Sequence, residues 1–244
     1  MTLTNETTAK RIVMRRLFKQ DSDNIINCYK KYDRLYYNPV NEKFIYDVLL
    51  YGEIWGAFKD GKMIACCYFF PAESDFFKDS NTFSSLSDFI ADPSGYMYMG
   101  YIGTDFRHLS DDEKQFFRDE MSAPNGLYTA FLNVVYMQTF RQGLKYILHS
   151  IPLKMCYGLE PLFSAGYTMI KLRGLDNLVV HYIFAKAVFP CENIYCTDAG
   201  CESRNVKAKD TKAISALLEG GYCCVDIIKE KCGDTFMLRK LITD

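Results

Sequence analysis

The sequence predicts a mixed α/β fold with a mostly antiparallel central sheet and a helix-plus-hairpin extension at its C-terminal end. Three stretches carry that reading. "EIWGAFKDGKMIACCYFFP" joins two apolar runs through Asp60-Gly61, a pair suited to the positive φ angles of a tight hairpin turn. "PNGLYTAFLNVVYMQTFRQG", residues 124–143, sets Leu127, Phe131, Val134, Val135 and Met137 at helical spacing between Pro124, suited to a first turn, and Gly143, suited to a stop. "KYILHSIPL" and "LVVHYIFAKAVF" are β-branched and aromatic runs separated by a short helical segment, which places a crossover in the middle of the chain.

The remaining elements follow in order. Residues 12–18 read as a strand, and a helix follows from Asp21 or Ser22 as cap, with Ile25, Ile26 and Tyr29 inward. Residues 41–51 read as a second helix with Gly52 as its stop. Residues 72–95, rich in Ser, Asp and Phe, read as an irregular excursion before one strand over 96–103. Ser110 and Glu113 have capping-box spacing, so a helix is expected to about Met121. "YGLEPLFSAGY" reads as a helix ending at Gly166, and "LVVHYIFAKAVF" as the strand after it. Asp210 caps a short helix, and "YCCVDIIKEKCGDTFMLRKLI" closes the chain as a hairpin. The expected organisation is a main domain over 1–190, a connector over 191–209 and a helix-hairpin tail over 210–244. Two uses of the tail stay open: packing on the main sheet, or a homodimer contact.

Charge and composition narrow the function classes. With 29 basic and 30 acidic residues the formal charge is −1, which advertises neither nucleic acid nor an anionic membrane as partner. The N-terminal stretch "MTLTNETTAKRIVMRR" lacks the apolar run of a signal peptide, and no window approaches the roughly 20 apolar residues of a membrane span. A cytoplasmic protein is expected. Adjacent cysteines at 66–67 and 223–224 lie inside strand patterns and suit buried reduced thiols. Cys191, Cys196 and Cys201 are evenly spaced, but without a paired knuckle or a nearby histidine they read as connector residues rather than zinc ligands, and no metal is expected.

The element order, the "AFKDGKMIACCYF" hairpin, the strand ending at Gly103-Thr104 before the long helix, and "PLFSAGY" before the strand of 179–185 together resemble the GNAT superfamily of acyl-CoA N-acyltransferases. That resemblance implies a central sheet of acyl-CoA N-acyltransferase type and acetyl-CoA or another acyl-CoA as co-substrate. It implies that the backbone of Tyr101, Ile102 and Gly103 faces the thioester and pantetheine arm. It also implies that Asn125, Gly126 and Leu127 offer backbone amides to the pyrophosphate at a helix start.

The sequence departs from the family pattern at Ala123, where a basic residue or glutamine is usual, at Tyr128, where a small residue is usual, and at Phe163, where a proton-donating tyrosine is usual. Tyr157 and Tyr167 are the substitutes considered for the acid. For the base that takes the amine proton the candidates are Glu160 and His149, with His108 and His181 beside them, and a strand histidine also serves as an ordinary hydrogen-bonded core residue.

The expected activity is acyl transfer, acetyl transfer above all, to a primary amine of a small molecule or peptide by direct attack on the thioester. Two alternatives stand beside it. One is a synthase resembling the N-acyl amino acid synthases and fed by a long-chain acyl carrier protein. The other is a non-catalytic binding module on the same fold. The acyltransferase readings require an opening between the strands of 96–103 and 145–151, whereas a binding module permits side chains to fill it.

Overall fold

A computed structural model describes residues 12–30, 40–75, 93–100, 103–104, 110–123, 126–153, 159–175, 179–189, 202–231 and 233–240. Strand β1 (Val13–Leu17) leads through a short 3-10 turn at Lys19–Asp21 into α1 (Ser22–Tyr29). Asp21 does not cap α1 through its side chain as expected. Its carboxylate instead accepts from the Phe18 amide at 3.0 Å and from Arg15 at 2.8 Å, which closes the turn. Helix α2 (Glu42–Tyr51) is capped by Asn41, whose side chain accepts from the Phe44 amide at 2.9 Å. Gly52 ends it with φ −151°, outside the left-handed region. Glycine is needed there because a Cβ would stand 2.0 Å from the Phe69 carbonyl oxygen.

Strands β2 (Glu53–Lys59) and β3 (Lys62–Pro71) form the expected hairpin, with Asp60 at φ 52° and Gly61 at φ 76°. The strand expected over 96–103 is two pieces, β4 (Tyr96–Met99) and β5 (Gly103–Thr104), both paired with β3. Phe69 faces Met99 and Cys66 faces Gly103, so one extra residue lies on the β4–β5 side between these rungs.

Helix α3 (Asp111–Ser122) and helix α4 (Leu127–Arg141) follow. Helix α4 begins three residues after Pro124, so the proline lies before it rather than in its first turn. The buried face of α4 is Leu127, Tyr128, Phe131, Leu132, Val135 and Thr139, while Met137, expected inside, is exposed. Thr139 is tolerated inside because its hydroxyl donates to the Val135 carbonyl at 2.7 Å.

Strand β6 (Tyr146–Pro152), helix α5 (Leu159–Ser164) and strand β8 (Val179–Ala187) match the expected positions, and Gly143 and Gly166 turn the chain at positive φ. Between them runs a strand the sequence reading missed, β7 (Thr168–Leu175), antiparallel to β8. A second missed strand, β9 (Ser203–Lys207), lies in the stretch expected as a connector. Asp210 caps α6 (Thr211–Glu219) by accepting from the Ala213 amide at 3.1 Å, and β10 (Tyr222–Ile228) with β11 (Thr235–Lys240) form the closing hairpin.

All these strands join one sheet in the order β1-β2-β3-β4-β6-β8-β7-β10-β11-β9, with β5 beside β3. The pairings are antiparallel except β4 with β6, the crossover pair. The tail extends this sheet: Cys224 pairs with Met169 of β7, and Phe236 packs on Phe163 and Tyr182 at ring separations of 6.3 and 5.9 Å. Helices α1 and α2 cover one face of β3 through Tyr29 and Phe44, whose rings meet that of Tyr68 at 6.0 and 5.1 Å. Helices α4 and α5 cover the other face through Tyr128 at His149 and Phe163 at Phe184. Cysteines 66, 67, 223 and 224 are buried free thiols. Among the described residues no helix is long and apolar enough to cross a membrane.

Candidate active site

Among the described residues the parallel pairing of β4 with β6 runs from Tyr96 opposite Tyr146 to Met99 opposite His149. Beyond that rung the two sides part. Gly100 donates its amide to the Tyr68 carbonyl at 2.9 Å and Gly103–Thr104 stays on β3, while Ser150, Ile151 and Pro152 stay on β8. A split therefore opens in the middle of the sheet, with its vertex at Met99 and His149. Two glycines fit the β3 side closely: a Cβ at Gly100 would stand 1.9 Å from the Tyr68 ring, and one at Gly103 would stand 2.9 Å from the Tyr29 ring.

His149 spans the vertex. Its ring is buried, with Nδ1 2.9 Å from the Met99 carbonyl oxygen and Nε2 2.8 Å from the Tyr128 hydroxyl. A carbonyl only accepts, so Nδ1 carries the proton and Nε2 accepts from the tyrosine O–H. Burial pushes the imidazole pKa down to about 4, against a weaker upward pull from the Met99 carbonyl. The ring is therefore neutral near pH 7, and its one lone pair is shared with Tyr128. It braces the vertex rather than standing ready as a base.

Ser150, the first β6 residue past the vertex, points to the opposite face, as strand alternation requires. Its hydroxyl lies 2.9 Å from Nδ1 of His181 on β8 and also hydrogen-bonds the hydroxyl of Tyr98 on β4. Tyr98 belongs to the α1–α2 face, because it stands opposite Phe70, which stacks parallel to Tyr68 at 6.2 Å. The vertex thus has a polar group on each face: Tyr128 with His149 under α4, and Tyr98 with Ser150 and His181 on the α1–α2 side. The second group was not legible in the sequence, apart from His181 as one of three histidines.

Tyr167 is fully buried, and its hydroxyl has no hydrogen-bond partner among the described residues. Burial raises its pKa, with a smaller upward push from the Cys67 thiol. That thiol is on β3, whereas Tyr167 immediately precedes β7. Lys186 fixes the ring from outside: its Nζ sits 5.5 Å from the Tyr167 ring centre and donates to the Ala165 carbonyl at 2.6 Å, where a cation complements the end of α5.

The helix start differs from the cradle the sequence suggested. The Gly126 amide donates to the Ala123 carbonyl at 3.0 Å, and a Cβ at Gly126 would lie 1.7 Å from the Glu120 carbonyl oxygen. Glycine is required there by the chain's own backbone. Leu127 buries its side chain, and its amide belongs to a first turn with no intrahelical acceptor. Glu160 is exposed in the first turn of α5, and Phe163 lies in a core of rings. Tyr101, Ile102, Asn125, Tyr157 and His108 lie outside the described residues, as do Cys191, Cys196 and Cys201.

No family model matches the chain. No curated protein matches it in sequence. Solved structures do resemble it. A probable acetyltransferase from Staphylococcus epidermidis aligns with TM-score 0.52 and 13% identity, over 73% of this chain and 100% of its own. An acetyltransferase of the GNAT family from Streptococcus pneumoniae aligns with TM-score 0.46 and 10% identity over 73% of this chain and 100% of its own. A Salmonella typhimurium protein assigned as an acetyltransferase, with its cofactor acetyl-CoA, aligns with TM-score 0.49 and 12% identity over 77% of this chain and 98% of its own. The fold is that of the GNAT acyl-CoA N-acyltransferases.

Proposed function

We propose that the chain is an acyl-CoA-dependent N-acyltransferase that transfers an acetyl group to the primary amine of a small molecule or peptide by direct attack on the thioester. The observation that carries this reading is the split past Met99 and His149. Pantetheine is an extended chain bearing amides, and separated strand edges are what such a chain pairs with, much as a peptide adds to a sheet edge. The backbone around Gly100 and Gly103 on one side, and of Ser150 and Ile151 on the other, would hold that arm. The fit is poorer at the helix start, where Gly126 is committed to Ala123 and Glu120. The pyrophosphate would rest instead on the first-turn amides of α4, Leu127 among them, and on the positive end of the helix.

Within this reading Tyr167 is the group placed to protonate the departing thiolate. Its hydroxyl is buried, keeps its proton near pH 7 and is committed to no other acceptor among the described residues. Excluding water from a narrow split and holding the amine against the thioester supply the rest.

A second reading, a non-catalytic module, draws on one specific observation: His149 already ties the vertex together, and the large Tyr128 supports it where a small residue would leave room. Calorimetric titration with acetyl-CoA, a long-chain acyl-CoA and free CoA separates the two. Saturable binding of acetyl-CoA supports the acyltransferase. Binding of none of the three leaves the module, and preference for the long chain moves the donor class away from acetyl transfer.

A further inference from the structure

The vertex presents two histidines, and only one has a hydroxyl between it and the split. His149 reaches the Met99 carbonyl and Tyr128 directly, through both ring nitrogens. His181 is buried one strand further along, and its Nδ1 meets the Ser150 hydroxyl at 2.9 Å. Ser150 belongs to the first rung at which β6 has lost β4 as a neighbour, so its oxygen borders the opening, and Tyr98 hydrogen-bonds it from the β4 side.

A hydroxyl in that position is a two-way contact. With Ser150 O–H donating to His181 Nδ1, Oγ keeps its lone pairs for other partners. Neither Glu160, exposed on α5, nor His149, with its lone pair engaged, offers this among the described residues.

We propose that Ser150 and His181 act together as the proton acceptor for the attacking amine. This rests on the acyltransferase reading above. In the step, the amine lone pair forms the C–N bond to the acyl carbon, and the C–S bond breaks with its electron pair leaving on sulfur. The amine proton passes to Ser150 Oγ while the Ser150 proton moves to His181 Nδ1. The thiolate takes up one proton, and His181 later returns its own to solvent, so the overall exchange gives amide and thiol. Ser150 touches the amine and is the catalytic residue; His181 acts through it.

The probe acceptor is hydroxylamine, small enough to reach a buried hydroxyl whatever the shape of the natural pocket. Thiol release from acetyl-CoA is followed for wild type, Ser150→Ala, Ser150→Thr and His181→Asn, with calorimetric binding of acetyl-CoA measured on each. The expected result is unchanged binding in all four and a fall in turnover of roughly 100-fold or more in Ser150→Ala and His181→Asn, the range general-base removal gives. Ser150→Thr keeps the hydroxyl and recovers most of the turnover, which a role in packing alone would not produce because threonine adds a methyl to a full site. Full turnover in Ser150→Ala and His181→Asn overturns the assignment while leaving the acyltransferase reading intact. Binding of acetyl-CoA by wild type without turnover of hydroxylamine also overturns it. Failure of wild type to bind acetyl-CoA overturns both.

Discussion

The Tyr128 hydroxyl lies 2.8 Å from Nε2 of His149, while Nδ1 of the same ring lies 2.9 Å from the Met99 carbonyl oxygen, so a helix and both sides of the sheet's split meet on one imidazole. The three residues come from α4, β6 and β4, and no two are close in sequence. Tyr128→Phe removes the one donor to this buried acceptor nitrogen among the described residues. The expected cost is about 1–3 kcal/mol, read from urea unfolding. A loss well below that range would mean that the ring relaxes to another partner.

The same ring makes stability depend on pH. His149 has a folded-state pKa of about 4 against an ordinary value of 6.5. Above pH 6.5 both states are neutral and the group contributes no slope. Between 6.5 and 4 only the unfolded chain takes up the proton, so stability falls as the pH falls. Below 4 both states are protonated and no further loss comes from this group. The window is worth on the order of 3 kcal/mol. Unfolding free energies measured across it should slope downward toward acid in wild type and less steeply in His149→Gln; equal slopes would contradict the assigned environment.

Gly126→Ala places a Cβ 1.7 Å from a backbone carbonyl that cannot swing aside. The loop before α4 must move, at a cost of roughly 1–3 kcal/mol or more, whether or not any ligand binds there. Loss of CoA affinity in this variant is therefore expected to accompany a lowered unfolding midpoint. An unchanged midpoint would show that the contact is not as close as described.

Tyr167→Phe gives opposite signs for stability and turnover. Removing a buried hydroxyl without a partner among the described residues should leave stability unchanged or raise it by up to about 1 kcal/mol. Removing the acid should lower the rate of thiol release by roughly 100-fold. Unfolding and turnover measured on the same preparation test both, and a fully active variant removes Tyr167 from the acid role.

What was legible in the sequence was local. Asp60-Gly61, the Asp210 cap, and Gly143 and Gly166 each fix their own turn or helix end, and the structure places all of them as read. What was not legible depends on partners far along the chain. "TMIKLRGL" has adjacent apolar Met169 and Ile170 at a register shift and Gly174 near its end, yet it is a strand because β8 and β10 flank it. "SRNVK" is exposed at the sheet edge and carries no apolar period at all. His149 reads in the sequence as a candidate base or as an ordinary core histidine, and nothing near it in sequence reveals a carbonyl 50 residues before it or a hydroxyl 21 residues before it. The resemblance implies a phosphate cradle at Gly126, and a carbonyl six residues upstream is by itself enough to require a glycine there.

The most direct test of the central claim is the thermal unfolding midpoint of the purified protein with and without excess acetyl-CoA. A ligand at 100 times its dissociation constant stabilises the folded state by roughly 2.7 kcal/mol, which raises the midpoint by several degrees. The account predicts that rise for acetyl-CoA and for free CoA, because both would place the pantetheine arm in the split past Met99 and His149. An unchanged midpoint with both, at concentrations into the millimolar range, would contradict it and leave the split as an internal feature of a binding module braced by His149.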